Sequence, residues 1–253
     1  MMRNDPRQYD DLAAEWWRPA GDFELLHWLA AARAALIPPA AVPNALLIDA
    51  GCGGGLLAPH LAGKGYRHVG VDLQRSGLRA AAAHGVEPVC GDVTALPFAT
   101  GSADVVAAGE ILEHVTDLEA TVAEVCRVLR PGGLVVLDTV NATAVSRFIT
   151  VTAGEWIGVA PPGLHDPALF VDPKRLSAEF ARHGVRLHLR GVRPTVTGLI
   201  GWLLWKRPGG RIVGAPSKAV LYQGKGLKEG LYQGKGRKEG LYQGKGRKEG
   251  VTT

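Results

Sequence analysis

The stretch Leu47-Ile48-Asp49-Ala50-Gly51-Cys52-Gly53-Gly54-Gly55 decides the fold. It opens as an apolar run carrying an acid, then sets glycine at 51, 53 and 55 just before a helical stretch, Leu56–Lys64. Glycines at such a junction let the chain turn tightly and bring its backbone up to a ligand with no Cβ in the way. A pyrophosphate-binding fingerprint wants glycine at 51, 53 and 56, and residue 56 is Leu. The spacing therefore favours a ligand that lacks a diphosphate.

Working outward, short apolar runs bounded by Gly or Asp recur at Ala45–Ala50, His68–Leu73, Glu87–Cys90, Ala103–Ala108 and Leu134–Thr139. Between them lie helical stretches at 55–64, 75–84 and 117–130, the last stopped by Arg130-Pro131-Gly132-Gly133. Strand and helix in alternation predict a doubly wound α/β domain with a mostly parallel sheet, read as seven strands with the last antiparallel. In such sheets ligands sit at the carboxyl ends of the strands. The expected organisation is an N-terminal helical cap over residues 1–40, the sheet domain over 41–224, and a tail over 225–253.

With 253 residues, 46% hydrophobic and 21% charged, the chain suits one large globular domain and excludes a disordered or collagenous one. Three cysteines, Cys52, Cys90 and Cys126, without zinc-ligand spacing support neither a disulfide framework nor a cysteine metal site. From Leu221 the chain repeats LYQGKGLKEG, LYQGKGRKEG, LYQGKGRKEG, with eight Lys/Arg against three Glu. Of the 29 basic and 24 acidic residues, 21 of each remain outside the repeat, so the tail holds the whole net charge of +5. A nucleic-acid partner would rest on that tract alone and is not expected. Ala219–Gly224 reads as the last strand, and the following copies as a surplus flexible tail. The N-terminus, MMRNDPRQYDDLAAEWW, has acids where an export signal has an apolar core, which points to the cytoplasm.

The D-x-G-x-G-x-G pattern at Asp49–Gly55 resembles motif I of the class I S-adenosylmethionine methyltransferases. Asp72 follows Gly55 by 17 residues, at the end of the second run, where a carboxylate can take both ribose hydroxyls. Gly91-Asp92-Val93 stands where that family meets the adenine. The resemblance implies S-adenosylmethionine as cofactor, held by Asp49, Gly51, Gly53, Gly55, Asp72, Asp92, Val93 and Gly109. Closer likeness lies in Trp16-Trp17-Arg18-Pro19-Ala20-Gly21-Asp22-Phe23-Glu24-Leu25-Leu26-His27, Glu110-Ile111-Leu112-Glu113-His114-Val115 and Gly163-Leu164-His165-Asp166. In order and spacing these resemble the ubiquinone-biosynthesis O-methyltransferases, the polyprenyl-catechol methylases. That resemblance implies a small aromatic or polyprenyl acceptor, and Arg33 against the cofactor's methionine carboxylate.

Glu110, Glu113 and His114 follow the fourth run, where a methyl acceptor would lie. They can hold Mg²⁺, which the resemblance favours and which would lower the pKa of both catechol oxygens. Alternatively, His114 alone takes the phenolic proton as general base. His165, in the Pro/Gly-rich loop 160–167, is a second candidate base. Thr195–Trp205, TVTGLIGWLLW, is too short to span a bilayer; with Trp202, Trp205, Lys206, Arg207 and Arg211 it suits a peripheral contact with the inner membrane face, or else a hairpin that covers the active-site mouth or packs on a partner subunit. Methylation of a sugar or natural-product phenol, or a non-catalytic cofactor-binding scaffold, are the alternative readings.

Overall fold

A computed structural model describes residues 3–5, 8–157 and 162–230. The elements in order are α1 (Gln8–Asp11), α2 (Glu24–Ala34), β1 (Ala45–Ala50), α3 (Ala58–Leu61), β2 (Tyr66–Asp72), α4 (Arg75–Ala83), β3 (Glu87–Cys90), β4 (Ala103–Gly109), α5 (Leu118–Val128) and β5 (Leu129–Val140). There follow α6 (Ala144–Arg147), a π-helical stretch Phe148–Ala153, α7 (Gly154–Trp156), α8 (Pro173–Arg182), β6 (Val185–Pro194), α9 (Val196–Trp205), β7 (Ile212–Ala215) and β8 (Leu221–Lys228). They build one sheet of order β3-β2-β1-β4-β5-β8-β6-β7. The first five strands pair in parallel, and β8 runs antiparallel between β5 and β6.

The sheet has eight strands where the sequence suggested seven. The additional one is β7, a four-residue edge strand antiparallel to β6, too short to carry a period-two signal. Helix α5 ends at Val128, and Arg130-Pro131-Gly132-Gly133 lies inside β5 as an irregularity between the pairs Ala103↔Leu129 and Val105↔Leu134. Proline cannot donate to a ladder, so the strand loops out there before pairing resumes.

Alternation along the strands divides the core between two faces. Ile48 and Val106 pack on one face with Val122, Val125, Leu176 and Phe180 of α5 and α8. Leu47, Val105 and Ala107 pack on the other with Ala34, Ile37, Leu57 and Leu61. Each fully buried Val, Leu, Ile or Phe among them contributes roughly 1.5–3 kcal/mol. Part of the expected N-terminal cap is therefore core, because the end of α2 lies on the sheet.

The strand foreseen at Ala219–Gly224 spans Leu221–Lys228, almost all of the first repeat copy. The two later copies lie outside the described residues. Among the described residues no helix is long and apolar enough to cross a membrane. Helix α9 forms over the apolar stretch, but Trp202 is fully buried against Trp28 and donates to Ala20 O at 3.0 Å. Its place is in the core, not at a lipid surface, whereas Trp205 is 60% exposed.

Candidate active site

The carboxyl ends of β1, β2 and β4 open into a cavity of about 800 Å³. Gly51 (φ +71°) and Gly53 (φ +49°) form the turn after β1 in the left-handed region. A Cβ at Gly51 would run into Ile111, and one at Gly53 into the Trp16 ring. Trp16 thus packs on the glycine turn, and Trp17 Nε1 donates to Gly54 O at 2.9 Å, which binds the N-terminal segment to the loop. Gly55 does not line the cavity; its Cα faces Ala81 and Val86, so it permits close packing of the loop on α4.

Asp72, at the end of β2, accepts from Gly53 N and Gln74 N, both at 2.8 Å, one on each carboxylate oxygen. Burial raises its pKa against those backbone bonds. Asp92 accepts from Thr94 N and Oγ1, and Asp92, Val93 and Gly109 all line the cavity. Asp49 lines it too and lies 3.3 Å from His68 Nε2.

Arg33 reaches over Gly109, where any Cβ would coincide with the guanidinium, and its Nη1 pairs with Asp138 Oδ1 at 2.5 Å. Both side chains are buried, so removing either one strands a charge in low dielectric. Arg33 Nε is buried without a hydrogen-bond partner. Gln223 donates to the other Asp138 oxygen at 3.3 Å.

Glu110 sits just past β4 with φ +53°, a conformation that costs a non-glycine residue energy and clusters at functional sites. Burial and then the charge of Glu113 hold its pKa well above the usual carboxylate value. Glu113 is completely buried, accepts from Thr139 Oγ1 at 2.8 Å, and is pushed up to about 7, chiefly by burial. It does not line the cavity.

His114 turns the other way. Its Nδ1 lies 2.6 Å from Asn4 Oδ1, and its ring stacks on His165 with centroids 5.4 Å apart. Burial drops His114 to about 3 and His165 to about 4, so both imidazoles are neutral at physiological pH. His165 Nδ1 is buried with no hydrogen-bond partner.

The donor set expected for Mg²⁺ does not fit that ion. Glu113 is turned to Thr139, while His114 is held by Asn4 and faces His165. Among the described residues no three His, Cys, Asp or Glu side chains converge as metal ligands do. The triad is contiguous in sequence, but the turn after Glu110 sends its carboxyls and its imidazole in different directions. The sequence reading overlooked Asn4, Asp138 and Thr139. An acid inside the apolar run Leu134–Thr139 was the available signal, since a buried carboxylate needs a partner.

The residues present fit S-adenosylmethionine, with a glycine turn too tight for any Cβ, a carboxylate at the end of β2, and an orphaned Arg33 Nε in the same cavity. The fold and this cavity define a class I S-adenosylmethionine-dependent methyltransferase. Residues 48–137 match the family described as "Methyltransferase domain". The chain is similar in fold to an S-adenosylmethionine-dependent methyltransferase of Thermotoga maritima, described as a possible histamine N-methyltransferase (TM-score 0.63, 17% identity, covering 87% of this chain and 98% of that one). Over 191 residues it is 35% identical to the ubiquinone biosynthesis O-methyltransferase of Cupriavidus pinatubonensis, covering 71% of this chain and 76% of the relative. To the Burkholderia pseudomallei protein of the same name it is 33% identical over 205 residues, covering 76% and 88%. The chain belongs to the ubiquinone-biosynthesis O-methyltransferase family.

Proposed function

We propose that the protein methylates a hydroxyl of a catechol-like polyprenyl quinone precursor, with His114 as general base. The observation that carries this reading is the stacked His114–His165 pair in the cavity, whose lining also includes Ile111, Ile149, Ile157, Leu164 and Leu199. When bound, S-adenosylmethionine supplies an electrophilic methyl on a sulfonium. In this reading Asp72 would take its ribose hydroxyls, Asp92 and Val93 would meet the adenine end, and Arg33 would meet the methionine carboxylate. The protein's task is to align the acceptor oxygen with that methyl and to remove the proton.

A pKa of about 3 describes His114 taking on a charge alone in a dry pocket. Proton transfer from the acceptor creates imidazolium and oxyanion together, as a pair, and methylation consumes the oxyanion. Once product leaves, the same low pKa returns the proton to water. His165, stacked on His114, orients the acceptor ring from the loop side.

Next in sequence to the cavity-lining Ile149, Gly154, Ile157 and Leu199, the segments 148–157 and 196–205 expose Phe148, Trp156, Ile157, Ile200, Leu204 and Trp205, with Trp156 at 88%. Lys206 and Arg207 lie over the Trp202 and Trp205 rings. These segments suit a peripheral contact with the cytoplasmic face of an anionic membrane, where a polyprenyl tail would stay in lipid while its head group enters the site.

The test is a methyl-transfer assay across prenylated catechols, short-chain catechols, other phenols and sugars, with chelator and with added Mg²⁺. Prenylated catechols should turn over best, equally with and without chelator. Preferred turnover of a sugar would overturn the acceptor assignment, and loss of activity in chelator with rescue by Mg²⁺ would overturn the metal-free mechanism.

A further inference from the structure

We infer that Asn4 is a positioning residue that locks His114 in the tautomer protonated on Nδ1, placing the basic lone pair on Nε2. The inference builds on His114 as the base. Its first support is the orientation of the Asn4 amide. Asn4 Nδ2 donates to His114 O at 2.9 Å, and a carbonyl can only accept, so the amide has one possible sense. The amide oxygen then lies 2.6 Å from His114 Nδ1. An oxygen with no hydrogen of its own makes that contact only with a protonated Nδ1, and in a neutral imidazole the lone pair then belongs to Nε2.

The second support is the way the chain holds Asn4 in place. Its backbone is in the left-handed region (φ +58°), which Asn tolerates better than most residues, and its N–H donates to Gly163 O at 2.9 Å. The preceding Arg3 donates to Glu155 Oε1 at 2.7 Å and to His165 O at 2.9 Å, while Glu155 Oε1 also accepts from Gly163 N at 3.1 Å. The N-terminal segment is thereby tied both to the loop that carries His165 and to the ring and carbonyl of His114. A side chain merely filling space would not need two hydrogen bonds to one histidine, which fix its ring plane and its proton together.

The experiment uses the full chain labelled with ¹⁵N-histidine, and long-range ¹H–¹⁵N correlation of the resting protein. The His114 signals are assigned by their loss in His114→Gln. Wild type should show protonated Nδ1 and pyridine-like Nε2. Asn4→Ala should lose that preference and lower kcat at least about tenfold, with S-adenosylhomocysteine affinity and Tm little changed. Asn4→Asp keeps an acceptor for Nδ1–H, so it should hold the tautomer, recover much of kcat, and move the acidic limb of the kcat–pH profile upward, because a carboxylate stabilises imidazolium. Protonated Nε2 in wild type would overturn the inference, as would Asn4→Ala with either the wild-type tautomer or the wild-type kcat. Failure of the base assignment itself would show separately, as full turnover in His114→Ala.

Discussion

At the cofactor end of the cavity, polar side chains find their partners close by in sequence or one strand away. Asp92 takes Thr94, and Asp72 takes Gln74 and the neighbouring turn at Gly53. At the acceptor end the partners come from across the chain, with Asn4 on His114 and Thr139 on Glu113, and of the cofactor-end residues Arg33 alone shares that pattern, on Asp138. The first arrangement is set by the turn geometry of parallel strands, so residue spacing alone transmits it. The second exists only once the sheet has formed and the N-terminal segment has folded over it.

This contrast explains what could be read in the sequence. Gly51, Gly53, Asp72, Asp92 and Val93 were legible as a set because each follows a strand end at a regular interval. Glu110, Glu113, His114 and His165 were legible as residue types, but their arrangement was not. A run of three acid and imidazole positions suggested one metal site, and nothing local reveals that Glu113 faces Thr139 while His114 faces Asn4. The fold followed the same division. The five parallel strands were evident, whereas Val185–Pro194 went unassigned although Val185, Leu187 and Leu189 alternate with Arg186, His188 and Arg190.

The largest effect is expected on turnover at the acceptor end. His114→Ala should lower kcat by about 10²–10⁴-fold, the usual worth of a positioned base. S-adenosylhomocysteine affinity, measured by calorimetry, should stay as in wild type, since His114 belongs to the acceptor half. A parallel loss of affinity would mean the two halves are not separate.

At the cofactor end the expected pattern is the reverse. Asp72→Ala should weaken S-adenosylhomocysteine binding by roughly 1.5–3 kcal/mol, the range for hydrogen bonds to a charged group. At saturating cofactor, kcat should change far less than in His114→Ala. Unchanged affinity would remove Asp72 from the site.

A smaller effect separates the halves by pH. Burial pushes the Glu113 carboxyl up to about 7 in the folded protein, above the ordinary carboxylate value of 4.5. The folded state therefore binds the proton more tightly than the unfolded chain does. The resulting stabilisation is complete below about 4.5 and is lost as pH rises through about 7. Glu113→Gln keeps an acceptor for Thr139 without the charge, so its Tm should gain on wild type between pH 5 and 8. A constant difference across that range would mean that Glu113 does not change protonation between pH 5 and 8.

The smallest expected effect concerns the repeat, whose first copy belongs to the sheet. In the first copy Leu221, Tyr222, Gln223 and Gly224 are buried, paired with β5 on one side and β6 on the other. Lys228 Nζ donates to Cys126 O and Leu129 O, and Glu229 N to Gly184 O at 2.7 Å. Among the described residues, the contacts that complete this part of the sheet thus come from residues before Gly230. Truncation after Gly230 should leave Tm and turnover as in the full chain, because no ladder bond or buried side chain of β8 is removed. Truncation after Val220 deletes β8 from between β5 and β6 and should leave no cooperative melting transition. A fall in Tm on the shorter deletion would show that the later copies pack on the domain, and a fall in turnover alone would place them at the cavity mouth.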